Sequence, residues 1–185
     1  MNIDLSPGYK IRDQYAPYFL TFQVLYWIDI FSRRTYRDIF IDSLKHCQKK
    51  KGLKIHAFVI MTNHVHLILS SSDGNLSDII RDIKSYTSKI IIDATDTNIE
   101  SRRKWMRALF SFAGKKNKRN SEFQFWTQEN HPVELITKNF TEQKLNYIHN
   151  NPVEAGFVYK AEDWIYSSAS NYAGMESIMQ VELIE

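Results

Sequence analysis

The sequence predicts an α+β fold, a ferredoxin-like sandwich in which helices pack on one face of a central antiparallel sheet. Two observations support this prediction. Strand-like and helix-like patterns follow the order β-α-β-β-α in the first half of the chain, and only Thr62 and Asn63 separate the two adjacent strands. Such a short link makes those strands an antiparallel hairpin. The 185 residues, 43% of them hydrophobic, suffice for one domain with a substantial core, and we take 1–185 as a single domain.

The period of the apolar residues locates each element of the first half. Aromatic and β-branched residues that alternate with polar ones indicate strands, whereas apolar residues three and four apart indicate helices. The predicted elements are a strand at 18–31, a helix at 35–51 ended by Gly52, strands at 53–61 and 64–70, and a helix at 77–92.

The second half is predicted to contain two more helices and a short strand. Residues 100–113 form a helix that is cationic on one side, and Phe123–Trp126 alternates as a strand does. Thr141 is the predicted N-cap of the last helix. Pro152 is its predicted end, because a proline pushes the residue before it out of the helical region. A C-terminal tail begins near residue 159 and is expected to pack back on the body.

The basic side chains are concentrated in a helix-loop segment at about 100–121. This segment has eight basic residues and no acidic one between 101 and 121, while the rest of the chain has 16 basic and 21 acidic residues. The eight are Arg102, Arg103, Lys104, Arg107, Lys115, Lys116, Lys118 and Arg119. Such a distribution indicates a polyanionic partner, although a solvated helix face and loop would have the same composition.

The cysteine content and the amino terminus bear on the compartment. A single thiol, Cys47, cannot form an internal disulfide, which fits a reducing environment. The amino terminus lacks the basic start and apolar run of a signal peptide, and no apolar run approaches the roughly 20 residues of a membrane span. We therefore expect a cytoplasmic protein that does not associate with a membrane.

His64 and His66 are the candidate metal ligands. They lie two apart on a predicted strand, so their side chains project from the same face while Val65 and Leu67 fill the other. The chain has no Cys-x-x-Cys pair and no carboxylate-rich cluster, which argues against a closed zinc site. Two histidines and one oxygen ligand would instead suit an open, catalytic cation site that also holds a phosphate. The alternative is a pair of histidines on a solvated strand face.

Two tyrosines on predicted helices are candidate nucleophiles. The residue four positions after Tyr86 is Ile90, which cannot bind a metal, whereas the residue four after Tyr147 is Asn151, on the same helix face. Spacing alone leaves open that Tyr147 is an amphipathic core residue and Asn151 a helix terminator.

Three segments together resemble a known family. They are Asn63–Leu67, the run from Tyr147 through Pro152 to Val158, and Asp163–Ser168. Their combination resembles the REP-associated tyrosine transposases, which belong to the single-tyrosine HUH superfamily (His, hydrophobic residue, His), over about residues 18–172. The resemblance implies a ferredoxin-like domain in which His64, His66 and Asn151 bind Mg²⁺ or Mn²⁺ and Tyr147 is the nucleophile.

The resemblance also implies a reaction and a substrate. The tyrosine of such a protein attacks single-stranded DNA beside a hairpin or repeat and forms a 5′-phosphotyrosine, from which the DNA is later rejoined. The basic residues of 101–121, with the aromatic Trp105, Phe110 and Phe112 among them, would then contact DNA phosphates and bases. The protein is expected to act as a monomer or a homodimer.

Two other functions are compatible with the same fold. One is a domesticated DNA-binding protein that has lost cleavage. The other is an RRM-like RNA-binding module, which needs exposed aromatic residues on adjacent sheet strands. The His pair occupies the corresponding place in this sequence, which argues against the RNA-binding alternative.

Overall fold

A four-stranded antiparallel sheet is the centre of the fold. The computed structural model describes residues 10–96, 100–116, 122–128 and 130–184. The strands are β1 (Tyr18–Gln23), β2 (Leu53–Ile60), β3 (His64–Ser71) and β4 (Val133–Glu134). Their order across the sheet is β2-β3-β1-β4, and every neighbouring pair is antiparallel. The predicted hairpin of β2 and β3 is confirmed, since the Met61 N–H donates to the His64 carbonyl across the turn.

Five helices complete the described structure. They are α1 (Arg34–Lys50), α2 (Leu76–Ala94), α3 (Arg103–Lys116), α4 (Lys138–Glu154) and the short α5 (Ala169–Tyr172). Three 3-10 turns accompany them, at Leu25–Trp27, Ile30–Ser32 and Ala161–Asp163. None of the helices in the described ranges combines the length and the apolar character needed to cross a membrane.

The sheet has a hydrophobic layer on each face, and the expectation of helices on one face was wrong. Helices α1 and α2 pack on the face that carries Leu20, Val65 and Leu67, which forms the larger core. Helix α4 packs on the opposite face, where Ile148 joins a smaller cluster with Ile68 of β3. That second face also carries His64 and His66, so α4 lies against the histidine pair.

The first strand is shorter than its aromatic pattern suggests. β1 ends at Gln23, and the residues to 32 form two 3-10 turns because their backbone groups pair outside the sheet. The Val24 N–H donates to the Asn63 carbonyl at 2.9 Å, and the Trp27 N–H donates back to the Val24 carbonyl at 3.1 Å. Tyr26 and Trp27 have φ angles of 56° and 57°, which no regular strand contains.

Helix α4 begins earlier and ends later than predicted. Thr137 is its N-cap, with the side-chain oxygen accepting from the Phe140 N–H, so the assignment of Thr141 was wrong. Pro152 lies inside the helix. The actual end is a Schellman motif at Gly156, where φ is +75°: the Phe157 N–H donates to the Pro152 carbonyl and the Gly156 N–H to the Val153 carbonyl. Asn151 is therefore helical and shares a face with Tyr147.

Two other predictions need correction. Residues 123–126, predicted as a strand, do not form a strand of the sheet. They make only one isolated bridge, between Trp126 and Val24. Helix α3 runs from Arg103 to Lys116, so it ends three residues beyond the predicted residue 113. The C-terminal tail packs back as expected, along the free edge of β2, where Ser167 bridges Val59.

Candidate active site

The two histidines of β3 form one side of the site. Their rings lie 4.7 Å apart between centroids and project from the same face, as the strand period predicts. His66 is only 5% exposed, and its ring stacks on Phe19 of β1 at 5.5 Å. His64 is half-buried. The strand thus presents two imidazoles on the sheet face against which α4 packs.

Helix α4 supplies the other side of the site. The Tyr147 hydroxyl lies 3.2 Å from His66 Nε2, and the side chain remains 42% exposed. One helical turn further on, Asn151 lies beside His64, and its side chain influences the pKa of that imidazole. The structure therefore brings together, within one chain, the four residues for which sequence analysis predicted catalytic and metal-binding roles.

Two polar neighbours hold the imidazoles in a defined orientation. Asn63 Oδ1 lies 2.7 Å from His64 Nδ1. An amide oxygen only accepts, so Nδ1 carries the proton and the Nε2 lone pair is left for a ligand. Thr21 lies opposite His66 in the β1–β3 register, and its Oγ1 is 2.9 Å from His66 Nδ1. Such outer contacts orient histidine ligands in metal sites.

Burial keeps both histidines uncharged near neutral pH. It lowers the pKa of His66 to about 3; the Lys144 ammonium, and His64 once it is protonated, lower that pKa further. Burial also lowers the pKa of His64, and the Asn151 side chain opposes that shift. Since only a neutral imidazole can bind a metal ion, both rings are in the competent form at physiological pH.

The donor set fits an open divalent-cation site. No three His, Cys, Asp or Glu side chains in the described part of the chain are grouped to hold a metal ion. A third donor must therefore be of another type, and the Asn151 amide lies beside His64. Two imidazole nitrogens and one amide oxygen carry no net charge and leave coordination positions open. A phosphate oxygen could fill one of those positions and supply the negative charge.

Two further residues, which the sequence patterns did not single out, also contact this site. Thr21 is one, and only the strand register reveals it. Lys144 is the other: its Nζ lies 4.7 Å from the Phe19 ring centroid and 5.8 Å from that of Tyr147. No carboxylate pairs with this ammonium among the residues the structure describes. The signal for Lys144 was its position three residues before Tyr147 on the same helix face.

The eight basic residues of the predicted DNA-binding segment have different environments. Arg102 pairs with Glu100 and Asp29, and Arg107 donates to the Ile92 carbonyl, so both tie α3 to the body. Arg103 is half-buried, and Lys104 and Lys115 are exposed. Lys116, also exposed, lies over the exposed Phe112 ring, whereas Phe110 is buried and cannot stack on a base. Lys118 and Arg119 fall outside the described residues.

The structure argues against both the alternative nucleophile and the RNA-binding alternative. Tyr86 is exposed on α2 and lines a small cavity with His46 and Cys47 of α1, on the opposite side of the sheet. The face with the His pair is covered by α4. It is therefore not the open sheet surface on which an RRM stacks bases.

The fold of this chain matches that of a solved transposase structure. The structure of the REP-associated tyrosine transposase bound to a REP hairpin superposes with a TM-score of 0.62 at 16% identity, covering 95% of this chain and 93% of that one. A protein described as a transposase from Deinococcus radiodurans R1 gives a TM-score of 0.44 at 18% identity, covering 81% of this chain and 97% of that one. The first match shows that this chain has the fold of a tyrosine transposase.

A family model makes the assignment more specific. The model described as "Transposase IS200 like" matches residues 17–151, most of the chain and all of the segment from β1 to Asn151. The chain belongs to this IS200-like transposase family. None of the curated proteins is significantly similar to it in sequence.

Proposed function

We propose that this transposase cleaves and rejoins single-stranded DNA through a 5′-phosphotyrosine on Tyr147, with Mg²⁺ or Mn²⁺ held by His64, His66 and Asn151. The observation that supports this most strongly is the position of the Tyr147 hydroxyl, 3.2 Å from His66 Nε2. A phenol that is 42% exposed and adjacent to two neutral imidazoles is accessible to a DNA phosphate at the place where a cation would bind.

The proposed reaction uses the phenol as the attacking group. Tyr147 Oη forms a bond to phosphorus in line with the 3′-oxygen, whose bond to phosphorus breaks. The phenol loses its proton and the released 3′-oxygen gains one. When bound, the cation would withdraw charge from the scissile phosphate. A 3′-hydroxyl can later attack the phosphotyrosine, and the DNA is rejoined without an external energy source.

The neighbouring residues of the candidate site position the imidazoles and the entering phosphodiester. Asn63 and Thr21 orient the two imidazoles through their Nδ1 atoms. The Lys144 ammonium, 5.8 Å from the Tyr147 ring centroid, adds positive charge where a phosphodiester would enter. Together they pre-arrange the site before DNA arrives.

A hairpin-flanked single strand is the proposed substrate. The similar structure with a TM-score of 0.62 is of a transposase bound to a REP hairpin. In the described part of the basic segment, Lys104, Lys115 and Lys116 of α3 are exposed and available to DNA phosphates. Arg102 and Arg107 have mainly structural contacts.

A covalent-capture assay tests the proposal. The protein is incubated with 5′- or 3′-labelled, hairpin-flanked single-stranded DNA and Mn²⁺, and the products are separated under denaturing conditions. We expect an adduct with the wild type and with Tyr86→Phe, and none with Tyr147→Phe. The Phe variant keeps the ring contacts with His66 and Phe19, so its loss of activity would reflect the missing hydroxyl.

Two results would contradict the proposal in different ways. An adduct that persists in Tyr147→Phe would show that another residue is the nucleophile. Tight binding of the hairpin DNA by the wild type without any adduct, across Mg²⁺ and Mn²⁺ concentrations, would favour the domesticated, non-cleaving DNA-binding protein.

A further inference from the structure

Two adjacent aromatic residues, Tyr26 and Trp27, are held in an unfavourable backbone conformation at the protein surface. Their φ angles of 56° and 57° are left-handed, a region that bulky residues rarely occupy. Their side chains are 51% and 61% exposed, so burial of the rings does not offset this strain. Strained residues of this kind concentrate at binding and catalytic sites, where the surrounding structure imposes the conformation.

The surrounding hydrogen bonds fix this loop to the turn that precedes the histidine pair. Val24 donates to the Asn63 carbonyl at 2.9 Å, and Phe31 donates to the Thr62 carbonyl at 2.9 Å. The loop therefore closes over Thr62 and Asn63 from both of its ends. His64 follows Asn63 in the chain, so any ligand on the Trp27 ring would be held at a defined distance from His64.

The Trp27 ring itself lies beside the candidate active site. Its centroid is 6.3 Å from that of His64, with the two planes at 77°. Gln23 pairs with His64 and Phe19 pairs with Ile68 in the β1–β3 register. On this face of β3, His64, His66 and Ile68 form a row in that order. Trp27 lies at the His64 end of the row, and the Lys144 ammonium, which lies over Phe19, is at the Ile68 end.

We propose that Trp27 is a stacking platform for the unpaired nucleobase next to the phosphate that the histidine pair receives. The inference rests on the proposed function, because it takes that phosphate to belong to single-stranded DNA. Proteins bind single strands by combining cationic groups for the backbone with exposed aromatic rings for the bases. An exposed indole at one end of the row and, at the other, the Lys144 ammonium, which pairs with no carboxylate of the described residues, match this chemistry. An apolar protein partner would not need the cation.

Tryptophan fluorescence gives a direct readout that requires neither cleavage nor metal. The chain has four tryptophans; Trp126 is buried and Trp164 half-buried, which leaves Trp27 and Trp105 exposed. In a Trp105→Phe background with EDTA present, a short oligothymidylate should quench the emission. An oligonucleotide of the same length with abasic sites has the same phosphates but no bases, and it should bind without quenching.

Binding affinity measured by anisotropy of a labelled oligothymidylate gives the second readout. Trp27→Ala should weaken binding by roughly 5- to 100-fold, the range for loss of one base-aromatic stack. Trp27→Gly should weaken it equally while the thermal midpoint does not fall, because glycine accepts the left-handed conformation. The matched control is Tyr159→Ala, which removes a fully exposed ring remote in sequence from the loop and should bind like the wild type.

The outcomes separate this inference from the proposed function. Equal quenching by the abasic strand, or wild-type affinity in Trp27→Gly, overturns the stacking site even if the Tyr147 adduct forms. Quenching by oligothymidylate and weakened binding in both Trp27 variants support the stacking site even if no adduct forms. Quenching by a fully paired duplex to the same extent also overturns it, since paired bases are not available to stack.

Discussion

Burial of His66 should make the folded protein sensitive to mild acid. Its pKa falls from the ordinary value of 6.5 to about 3 in the folded state, chiefly because burial disfavours the charged imidazole. The unfolded chain therefore binds a proton as the pH falls below 6.5, while the folded chain does not. The contribution of neutral His66 to the free energy of unfolding is therefore complete above pH 6.5. It is lost progressively as the pH falls toward 3.

The expected loss can be worked out from that shift. Between pH 7 and pH 5, an unfolded histidine becomes almost fully protonated while His66 stays neutral, which lowers the free energy of unfolding by about 2 kcal/mol. His149, whose pKa burial lowers to about 4, adds a similar loss. His66→Gln removes the first contribution only, so this variant should lose about 2 kcal/mol less than the wild type on acidification.

Urea denaturation at pH 7 and pH 5, followed by tryptophan fluorescence, measures this difference. The comparison is between the pH-induced changes, so any effect of the substitution on stability at pH 7 cancels. His46→Gln is the matched control, because His46 is exposed on α1 and its variant should show the wild-type pH dependence. If His66→Gln loses as much stability as the wild type, the reasoning that His66 is neutral in the folded protein is refuted.

Two further predictions concern the metal donor and the anchoring of α3. Asn151→Ala should weaken Mn²⁺ binding by at least about tenfold in calorimetry, a loss typical even of outer-shell partners. The control is Asn150→Ala, at the adjacent, exposed position. Equal Mn²⁺ affinities of the two variants would exclude the Asn151 amide as a ligand. Glu100, 1% exposed, pairs with two guanidiniums. Glu100→Gln should lower the free energy of unfolding by about 2 kcal/mol in urea denaturation, since hydrogen bonds to charged groups contribute about 1.5–3 kcal/mol and both arginines are partly exposed. The exposed Glu142→Gln should not lower it, and similar midpoints for the two variants would show that these ion pairs contribute little.

The parts of the fold that follow from local pattern were predictable. The helices of the first half and the β2–β3 hairpin depend on periodicity, a helix-ending Gly52 and a two-residue turn, all of which act over a few neighbours. The same local rules failed at Pro152. The helix continues past the proline and ends at a Schellman motif at Gly156. There the Gly156 and Phe157 N–H groups donate to the carbonyls of Val153 and Pro152.

The first strand shows where local pattern misleads. Its aromatic and β-branched residues continue to Phe31, but the backbone after Gln23 finds its partners in the turn at Thr62 and Asn63. This pairing joins segments far apart in the chain, so no window of sequence contains it. It also places Trp27 beside His64, a contact that the strand prediction could not include.

Residue spacing and motifs were enough to identify the members of the candidate site. The alternation of a strand places both histidines on one strand face, and the 3.6-residue period of a helix places Tyr147 and Asn151 on one helix face. The resemblance of the motifs to a known family indicates that these two faces form one site. The packing of α4 on the histidine face, with the Tyr147 hydroxyl 3.2 Å from His66, could not be read from those patterns. Alternation specifies which residues share a face, but the packing of α4 through Ile148 on the Ile68 side of the sheet determines which faces meet.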